Sequence, residues 1–315
     1  MRRWKALLLI LVTAVVLPSC ATAERLAPRE GFLNVPGGPI WFRIVGTPSN
    51  TPLLILHGGP GVGSCRLSAL AALGDQRSVV FYDQLGSGRS GRPADPKLWH
   101  IDRFVEELDA VRKQLGLSRI HLLGHSWGGA LAVQYLLAKG TRGVESLILA
   151  GPLLSTRDWI DDANVLRRQL PMPVQEVLKR NEDAGTTHSP EYEEATQVFY
   201  SRFLYHRQPV PVTPECAGSA SNQVIYEAMW GPTEFYATGN LRSFDVTSRL
   251  GELHLPVLLV VGRFDEARPE TVGRYQKQIG GSQLEVIEDA GHVSMVDEPQ
   301  RFLQVVRRFI ASISR

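Results

Sequence analysis

The run GHSWGG places Ser126 at a corner where a buried strand is predicted to meet a helix. The apolar stretch IHLL precedes the run, and the helix-prone ALAVQYLL follows it. In a G-x-S-x-G turn the chain bends so tightly that the positions of Gly124 and Gly128 have almost no room for a side chain. Such a turn presents the serine hydroxyl at the carboxyl edge of the sheet. The spacing therefore predicts that Ser126 is a nucleophile that attacks a carbonyl.

A serine nucleophile needs a base, and the base needs an acid that orients it. In enzymes that carry their serine on such a strand-to-helix turn, both residues follow the serine along the chain, the acid first. Asp265 comes after a predicted strand that ends at Gly262, and His292 follows a predicted strand over residues 284–287. We expect the three side chains to lie in loops at one edge of one sheet. Neutral His292 would take the proton of Ser126, while Asp265 would fix the histidine tautomer.

HGGPG, residues 57–61, is a glycine-rich loop that follows the apolar run LLIL. Bare backbone in such a loop lets an N–H group approach a substrate oxygen, although the same composition also occurs in ordinary turns. The loop precedes the predicted nucleophile strand, where this architecture requires an oxyanion hole. We therefore expect the N–H groups of Gly59 and Trp127 to stabilise a tetrahedral intermediate.

Predicted strands and helices alternate along most of the chain. This alternation is typical of an α/β fold with a mostly parallel sheet that helices cover on both faces. An opening hairpin with a Pro-Gly-Gly turn is predicted first, and an amphipathic helix closes the chain. The other predicted elements are strands near residues 53–56, 79–82, 120–123, 144–150 and 256–262, and a helix over residues 102–115.

Five segments together resemble the proline iminopeptidase family of α/β-hydrolases, which includes the tricorn-interacting aminopeptidases. The segments are HGGPG, VVFYDQLGSGRS, LLGHSWGG, IYEAMWGPTEF and EDAGHVSMVDEP, and the resemblance covers roughly residues 30–312. It implies an α/β-hydrolase fold with a helical cap over the triad. We accordingly interpret residues 153–243 as a cap inserted into a core formed by residues 24–152 and 244–315.

The resemblance also implies that carboxylates bind the free amino terminus of a peptide. By motif position these are Glu234 and Glu266, with Glu227 as a further candidate. Acidic side chains in a partly dehydrated pocket would reject blocked peptides, because a neutral amide would leave the acids unpaired. Trp230 and Phe235 flank Glu234, and we expect them to line a pocket for a small ring such as proline.

Composition excludes several other functions. The formal net charge is +2, and the sequence contains no basic patch with interleaved aromatics, no zinc-spaced Cys/His cluster, no Walker loop and no dinucleotide fingerprint. We expect no cofactor, metal or nucleic-acid partner. Three functions stay open. The first is a serine aminopeptidase that releases an N-terminal residue, proline, from short peptides through an acyl-enzyme, and the second is an amino-acid amidase or small-molecule esterase with the same triad. The third is a lipid-anchored binding protein without turnover, which the intact triad disfavours.

The amino terminus predicts an export signal over residues 1–23. Basic Arg2, Arg3 and Lys5 precede an apolar run and then small residues. LPSC resembles a bacterial lipoprotein box, in which Cys20 would be lipidated and anchor the protein to a membrane. The alternatives are ordinary cleavage after ATA, which would release a periplasmic or secreted protein, and a buried amino-terminal helix.

Cys65 and Cys216 are the other two cysteines of the chain. An oxidising compartment would permit a bridge between the region of the predicted oxyanion loop and the cap. Because the two positions are far apart in the sequence, nothing in the sequence indicates the distance between them. The expectation is two free thiols.

Overall fold

The structure is a computed structural model that describes residues 26–48, 50–209, 214–217 and 221–313. The predicted export signal over residues 1–23 and its lipidation residue Cys20 lie outside this part of the chain. Within it, no helix is both long enough and apolar enough to cross a bilayer.

Eight strands form one sheet in the order β1-β2-β4-β3-β5-β6-β7-β8. β1 and β2 form an antiparallel hairpin, and β2 is also antiparallel to β4. All other neighbouring strands are parallel. The predicted α/β class with a mostly parallel sheet is therefore confirmed. The strands are β1 (Arg29–Val35), β2 (Gly38–Val45), β3 (Leu53–Leu56), β4 (Val79–Tyr82), β5 (Ile120–His125), β6 (Val144–Ala150), β7 (Val257–Gly262) and β8 (Gln283–Ile287).

Both faces of the sheet are covered, so the central strands are apolar throughout. β3 (LLIL) and β4 (VVFY) are buried at every position, as expected for strands covered by helices on both sides. One face packs against α1 (Ile101–Leu115), α2 (Trp127–Lys139) and α7 (Pro269–Gln278). The other face packs against α9 (Pro299–Ile313) and a 3-10 helical segment over Ser64–Asp75. A single turn, α8 (Ser294–Asp297), precedes α9.

Four helices lie between β6 and β7 in the chain. They are α3 (Thr156–Arg167), α4 (Met172–Ala184), α5 (Pro190–Phe203) and α6 (Gln223–Met229). Ser155 and Ser189 begin α3 and α5, because each side chain accepts a backbone N–H three residues later. α3, α4 and α5 share a small apolar core that includes Leu178, Phe199 and, from the segment after α6, Phe235, whereas the buried residues of α6 belong to the main core. The boundaries of the cap at residues 153 and 243 stay a prediction.

Cys65 and Cys216 form a disulfide, with 5.1 Å between their Cα atoms. The expectation of two free thiols is therefore wrong. The bridge joins residues that are 151 positions apart, a proximity that arises only when the chain folds. It ties the start of the Ser64–Asp75 segment to a short 3-10 turn, Pro214–Cys216, between α5 and α6.

Candidate active site

The corner after β5 holds Ser126 in an unusual backbone conformation. Its φ is 56° and its ψ is −123°, a region that residues with side chains rarely adopt. A Cβ at Gly124 would lie 2.3 Å from the carbonyl oxygen of Gly128, and a Cβ at Gly128 would lie 2.3 Å from that of Leu56. The sharp turn thus requires glycine at both positions, as the sequence predicts, and it lifts Ser126 to the carboxyl edge of the sheet.

His292 and Asp265 meet at the same edge. Nδ1 of His292 lies 2.8 Å from Oδ1 of Asp265, and both side chains are buried. The same oxygen accepts the N–H of Ala267 at 2.8 Å, which holds the carboxylate in place. An acid on Nδ1 leaves Nε2 for proton transfer. Ser126 and His292 line one cavity of about 70 Å³, so the structure brings all three predicted residues together.

The cap helices hold the loop that carries His292. The backbone N–H of His292 donates to the carbonyl of Phe203 at 2.8 Å, and that of Val293 donates to Leu204 at 3.1 Å. The ring of Trp159, on α3, meets the His292 ring edge to face, with 5.4 Å between centroids. The position of the base therefore depends on the ends of two helices of the cap region.

Two adjacent histidines differ in their tendency to bind a proton. Burial would lower the pKa of His292, but the carboxylates of Asp265 and Glu266 raise it to about 9. Burial, reinforced by the charge of His292, lowers the pKa of His125 to about 3, although the two ring centroids are only 4.7 Å apart. His292 is thus the basic member of the pair, and His125 stays neutral.

Glu234 and Glu266 both lie beside His292. Oε1 of Glu266 is 3.8 Å from Nε2 of His292, and neither oxygen of this buried carboxylate has a hydrogen-bond partner in the described part of the chain. Burial and the charge of Glu234 raise the pKa of Glu266 well above its usual range. Burial likewise raises the pKa of Glu234, against the opposing effect of nearby His292. A cation beside these two acids would favour their ionised forms and offset the effect of burial.

The predicted oxyanion donors lie on either side of the nucleophile. Gly59 has a φ of 107° and lines the cavity with Ser126, and Trp127 begins α2 directly after Ser126. Among the described residues, neither N–H donates to a backbone carbonyl. Both groups are therefore available to a substrate oxygen.

A buried glutamine, Gln84, connects the two donor segments. Its backbone N–H donates to Nε2 of His57 at 3.0 Å, and its Nε2 donates to the carbonyl of the same residue at 3.1 Å. Its Oε1 accepts the indole N–H of Trp127 at 2.8 Å. Sequence reasoning missed Gln84, although an amide two positions after the apolar strand VVFY indicates a buried polar contact.

Three predicted substrate-binding residues lie outside the cavities at this site. Glu227 accepts from Gln223 at 2.9 Å and lies 3.7 Å from His188, and it lines neither cavity. Phe235 packs into the core of the cap helices, 4.8 Å from Phe199 between ring centroids. Trp230 is buried against Trp159 at 6.0 Å and reaches the site only through that ring. None of the three lines a cavity at the site, and their contact with substrate stays a prediction.

A second cavity of about 490 Å³ adjoins the site and opens among the cap helices. Tyr192, Thr196 and Tyr200 line it from one face of α5, together with Tyr226 of α6. The spacing of four residues between Tyr192, Thr196 and Tyr200 would have indicated that these three side chains share one face of a helix. Among the described residues, no three His, Cys, Asp or Glu side chains cluster as metal ligands would.

One family model matches residues 51–299 and is described as the alpha/beta hydrolase fold. The proline iminopeptidase of Heyndrickxia coagulans is 43% identical to this chain and covers 90% of it and 99% of its own length. The proline iminopeptidase of Saccharolobus solfataricus is 36% identical, with 90% of this chain and 93% of that protein covered.

Solved structures show the same similarity. The crystal structure of VinJ superposes with a TM-score of 0.84 at 32% identity and covers 91% of this chain and 100% of its own. The proline iminopeptidase of Mycobacterium smegmatis gives a TM-score of 0.80 at 32% identity, with 90% and 98% covered. The residues that the family model matches include Ser126, Asp265 and His292.

Proposed function

The chain belongs to the proline iminopeptidase family of α/β-hydrolases and is a serine hydrolase of the aminopeptidase type, and from this premise we propose that it releases N-terminal proline from short peptides outside the cytoplasm. The reaction passes through an acyl-enzyme on Ser126. The relatives named proline iminopeptidase support proline as the first residue. A cavity of only about 70 Å³ beside Ser126 and His292 further favours a compact residue there.

In the proposed reaction His292 accepts the Ser126 proton through Nε2 as the hydroxyl oxygen attacks the carbonyl carbon of the first residue. Asp265, bonded to Nδ1, stabilises the imidazolium that forms. The N–H groups of Gly59 and Trp127 donate to the oxyanion. His292 then gives the proton to the leaving amine, and water releases the first residue from Ser126 by the same route.

The observation that carries the proposal is the pair of carboxylates beside the base. Glu266 is buried without a hydrogen-bond partner among the described residues, and an unpaired buried acid is costly to the fold. A substrate α-ammonium group supplies the missing charge to Glu266 and to Glu234. A peptide with a blocked amino terminus lacks that charge and would leave the acids unpaired. The site thus favours cleavage at a free amino terminus.

Export is part of the proposal, and the disulfide supports it. Structural disulfides persist in oxidising compartments and are rare in the cytoplasm of most organisms. A bridge between Cys65 and Cys216 therefore agrees with the basic and apolar sequence of residues 1–23. We further propose that Cys20 is lipidated and holds the enzyme at a membrane.

Hydrolysis of proline 4-nitroanilide and of its N-acetylated counterpart tests the function directly, with alanine and leucine anilides alongside. We expect cleavage of the free-amine substrates, proline fastest, and no cleavage of the acetylated one. Ser126→Ala should abolish turnover, because no other group can form the acyl-enzyme. The activity is measured as the absorbance of released nitroaniline.

Equal cleavage of the acetylated substrate would contradict amine recognition and favour an amidase or esterase. Full activity of Ser126→Ala would contradict the mechanism. Ser201→Ala is a matched control, since this exposed serine bonds only the Val198 carbonyl of its own helix, and it should leave hydrolysis unchanged.

The export proposal is tested by expressing the full chain in a bacterium and separating membrane, periplasmic and cytoplasmic fractions. We expect the protein in the membrane fraction, with an amino-terminal diacylglyceryl cysteine in its mass spectrum. Cys20→Ala should move it out of that fraction. Wild-type protein with an intact amino terminus in the cytoplasm would contradict export. A mature protein that begins directly after Ala23 would contradict lipidation of Cys20 but not export.

A further inference from the structure

Two cavities adjoin each other near the proposed nucleophile. The smaller is lined by Ser126, His292 and the glycine-rich loop after β3, and the larger lies among the cap helices. Four residues line both cavities, so they form the boundary between the two. These residues are Val62, Arg66, Leu204 and Glu234.

The sizes of the cavities restrict where a peptide can lie. The smaller cavity, at about 70 Å³, is too small to hold both residues of a dipeptide. The larger cavity, at about 490 Å³, falls within the usual range of about 300–1,000 Å³ for ligand pockets. The residue that leaves after cleavage must therefore extend past the boundary into the larger cavity.

Charge on this boundary is divided between two side chains. Glu234 provides the acid, and Arg66 is the only arginine or lysine among the described residues that line either cavity. The charge of Arg66 helps to keep the pKa of Glu234 from rising further, after the larger effects of burial and of His292. A dipeptide carries the matching pair of charges, an ammonium group at one end and a carboxylate at the other.

The surroundings of Arg66 leave its guanidinium available. Arg66 is exposed and donates through Nη1 to the hydroxyl of Tyr205, with its Cζ 5.8 Å from the centre of that ring. An arginine has five N–H donors in a planar fork, and in the described part of the chain no carboxylate forms an ion pair with this one. The neighbouring Cys65 is bridged to Cys216, which fixes the backbone from which the side chain extends.

We propose that Arg66 binds the C-terminal carboxylate of a dipeptide whose second residue occupies the larger cavity. The proposal rests on the proposed aminopeptidase function and adds to it a preference for dipeptides. The guanidinium donates two parallel hydrogen bonds to the carboxylate oxygens, a geometry that an ammonium group of lysine cannot reproduce fully. The substrate is then held at both ends, its ammonium by Glu234 and Glu266 and its carboxylate by Arg66.

The test compares L-prolyl-L-alanine with L-prolyl-L-alanine amide. The first has a negatively charged C-terminal carboxylate, and the second has a neutral amide in its place. Release of proline is followed by mass spectrometry. We expect wild-type protein to cleave the free acid with a kcat/KM about tenfold or more above that of the amide, mostly through a lower KM, as one charge-assisted contact provides. Arg66→Gln should reduce this preference to about twofold or less, and Arg66→Lys should retain part of it.

Arg202→Gln is the matched control. Arg202 is an exposed arginine of α5 that bonds the carbonyl of Gln169 and lines neither cavity, so this variant should keep the wild-type preference. Thermal unfolding of each variant identifies any loss of fold.

Equal cleavage of acid and amide by wild-type protein would overturn the proposal, as would an equal loss on both substrates in Arg66→Gln. Cleavage of proline 4-nitroanilide without cleavage of either dipeptide would also overturn it and leave the aminopeptidase function intact. No cleavage of the anilide would contradict the proposed function itself.

Discussion

The ring of His292 lies between two acids, of which one has hydrogen-bond partners and the other has none among the described residues. Asp265 faces Nδ1 and is held by a backbone N–H of Ala267. Glu266 faces Nε2 at 3.8 Å and has no partner in the part of the chain that is described. A satisfied acid on one edge orients the base, whereas an unsatisfied acid on the other is costly unless a ligand meets it. The base and the receptor for the substrate amine are therefore electrostatically coupled.

Replacing Glu266 should change the proton affinity of the base. Glu266→Gln removes a negative neighbour that helps to raise the pKa of His292 to about 9, so that pKa should fall. A general base acts when deprotonated, so the variant holds His292 in its active form at a lower pH. Imidazole NMR of histidine-labelled protein, assigned with His292→Ala, measures the pKa.

Glu288→Gln serves as the control for this titration, because Glu288 is exposed and paired with Arg263. It should leave the His292 signal unchanged. A His292 pKa that is the same in Glu266→Gln and wild-type protein would contradict the coupling.

Gln84 acts on the reaction through the oxyanion segments, so we treat it as a positioning residue. Gln84→Leu removes the partners of the His57 carbonyl and the Trp127 indole, and both segments should lose their alignment. We expect kcat on proline 4-nitroanilide to fall about 10- to 100-fold, somewhat less than for direct loss of an oxyanion donor, with KM little changed. Steady-state kinetics measures kcat and KM separately.

Gln84→Glu keeps the size of the side chain and an acceptor for Trp127 but loses the donor to His57, so its kcat should lie between the two. Gln114→Leu, at an exposed glutamine that bonds the carbonyl of Asn34, should behave as wild type. A larger effect on KM than on kcat would assign Gln84 to substrate binding instead.

At the scale of elements, two of the contacts between the cap region and the core bear directly on the site. The end of α5 accepts hydrogen bonds from the backbone of His292 and Val293. The disulfide joins the turn Pro214–Cys216 to the segment that follows the oxyanion loop. The first contact positions the base, and the second restrains the chain between α5 and α6.

Loss of the bridge should destabilise the protein. Cys216→Ser removes a covalent link between residues 151 positions apart, so the unfolded chain gains conformational entropy. A disulfide typically contributes about 2–4 kcal/mol to the stability of the folded protein. We expect urea unfolding of the variant to show a lower free energy of unfolding by about that amount. Cys65→Ser should give the same value, since either change removes the same bond, and an unchanged unfolding midpoint in both would contradict the bridge.

At the scale of the whole molecule, the parts that follow from local spacing were predictable. The sheet, the glycine corner around Ser126 and the placement of Asp265 and His292 follow from strand patterns and the loops after them. Phe235 was not predictable, because the direction of its side chain depends on the packing of α5 against the segment after α6. The Cys65–Cys216 contact and the place of Arg66 at the cavity boundary depend on distances that only the folded chain defines.

The hydrogen bonds from the His292 loop to the end of α5 limit how the enzyme can admit a substrate. If α5 swung away from the sheet, the base would move with it, so entry cannot depend on lifting this helix. The cavity of about 490 Å³ among the cap helices, which adjoins the site, offers another route. Folded proteins are too wide for it. An enzyme of this design would spare folded proteins, because a short peptide fits such a cavity and a folded chain does not.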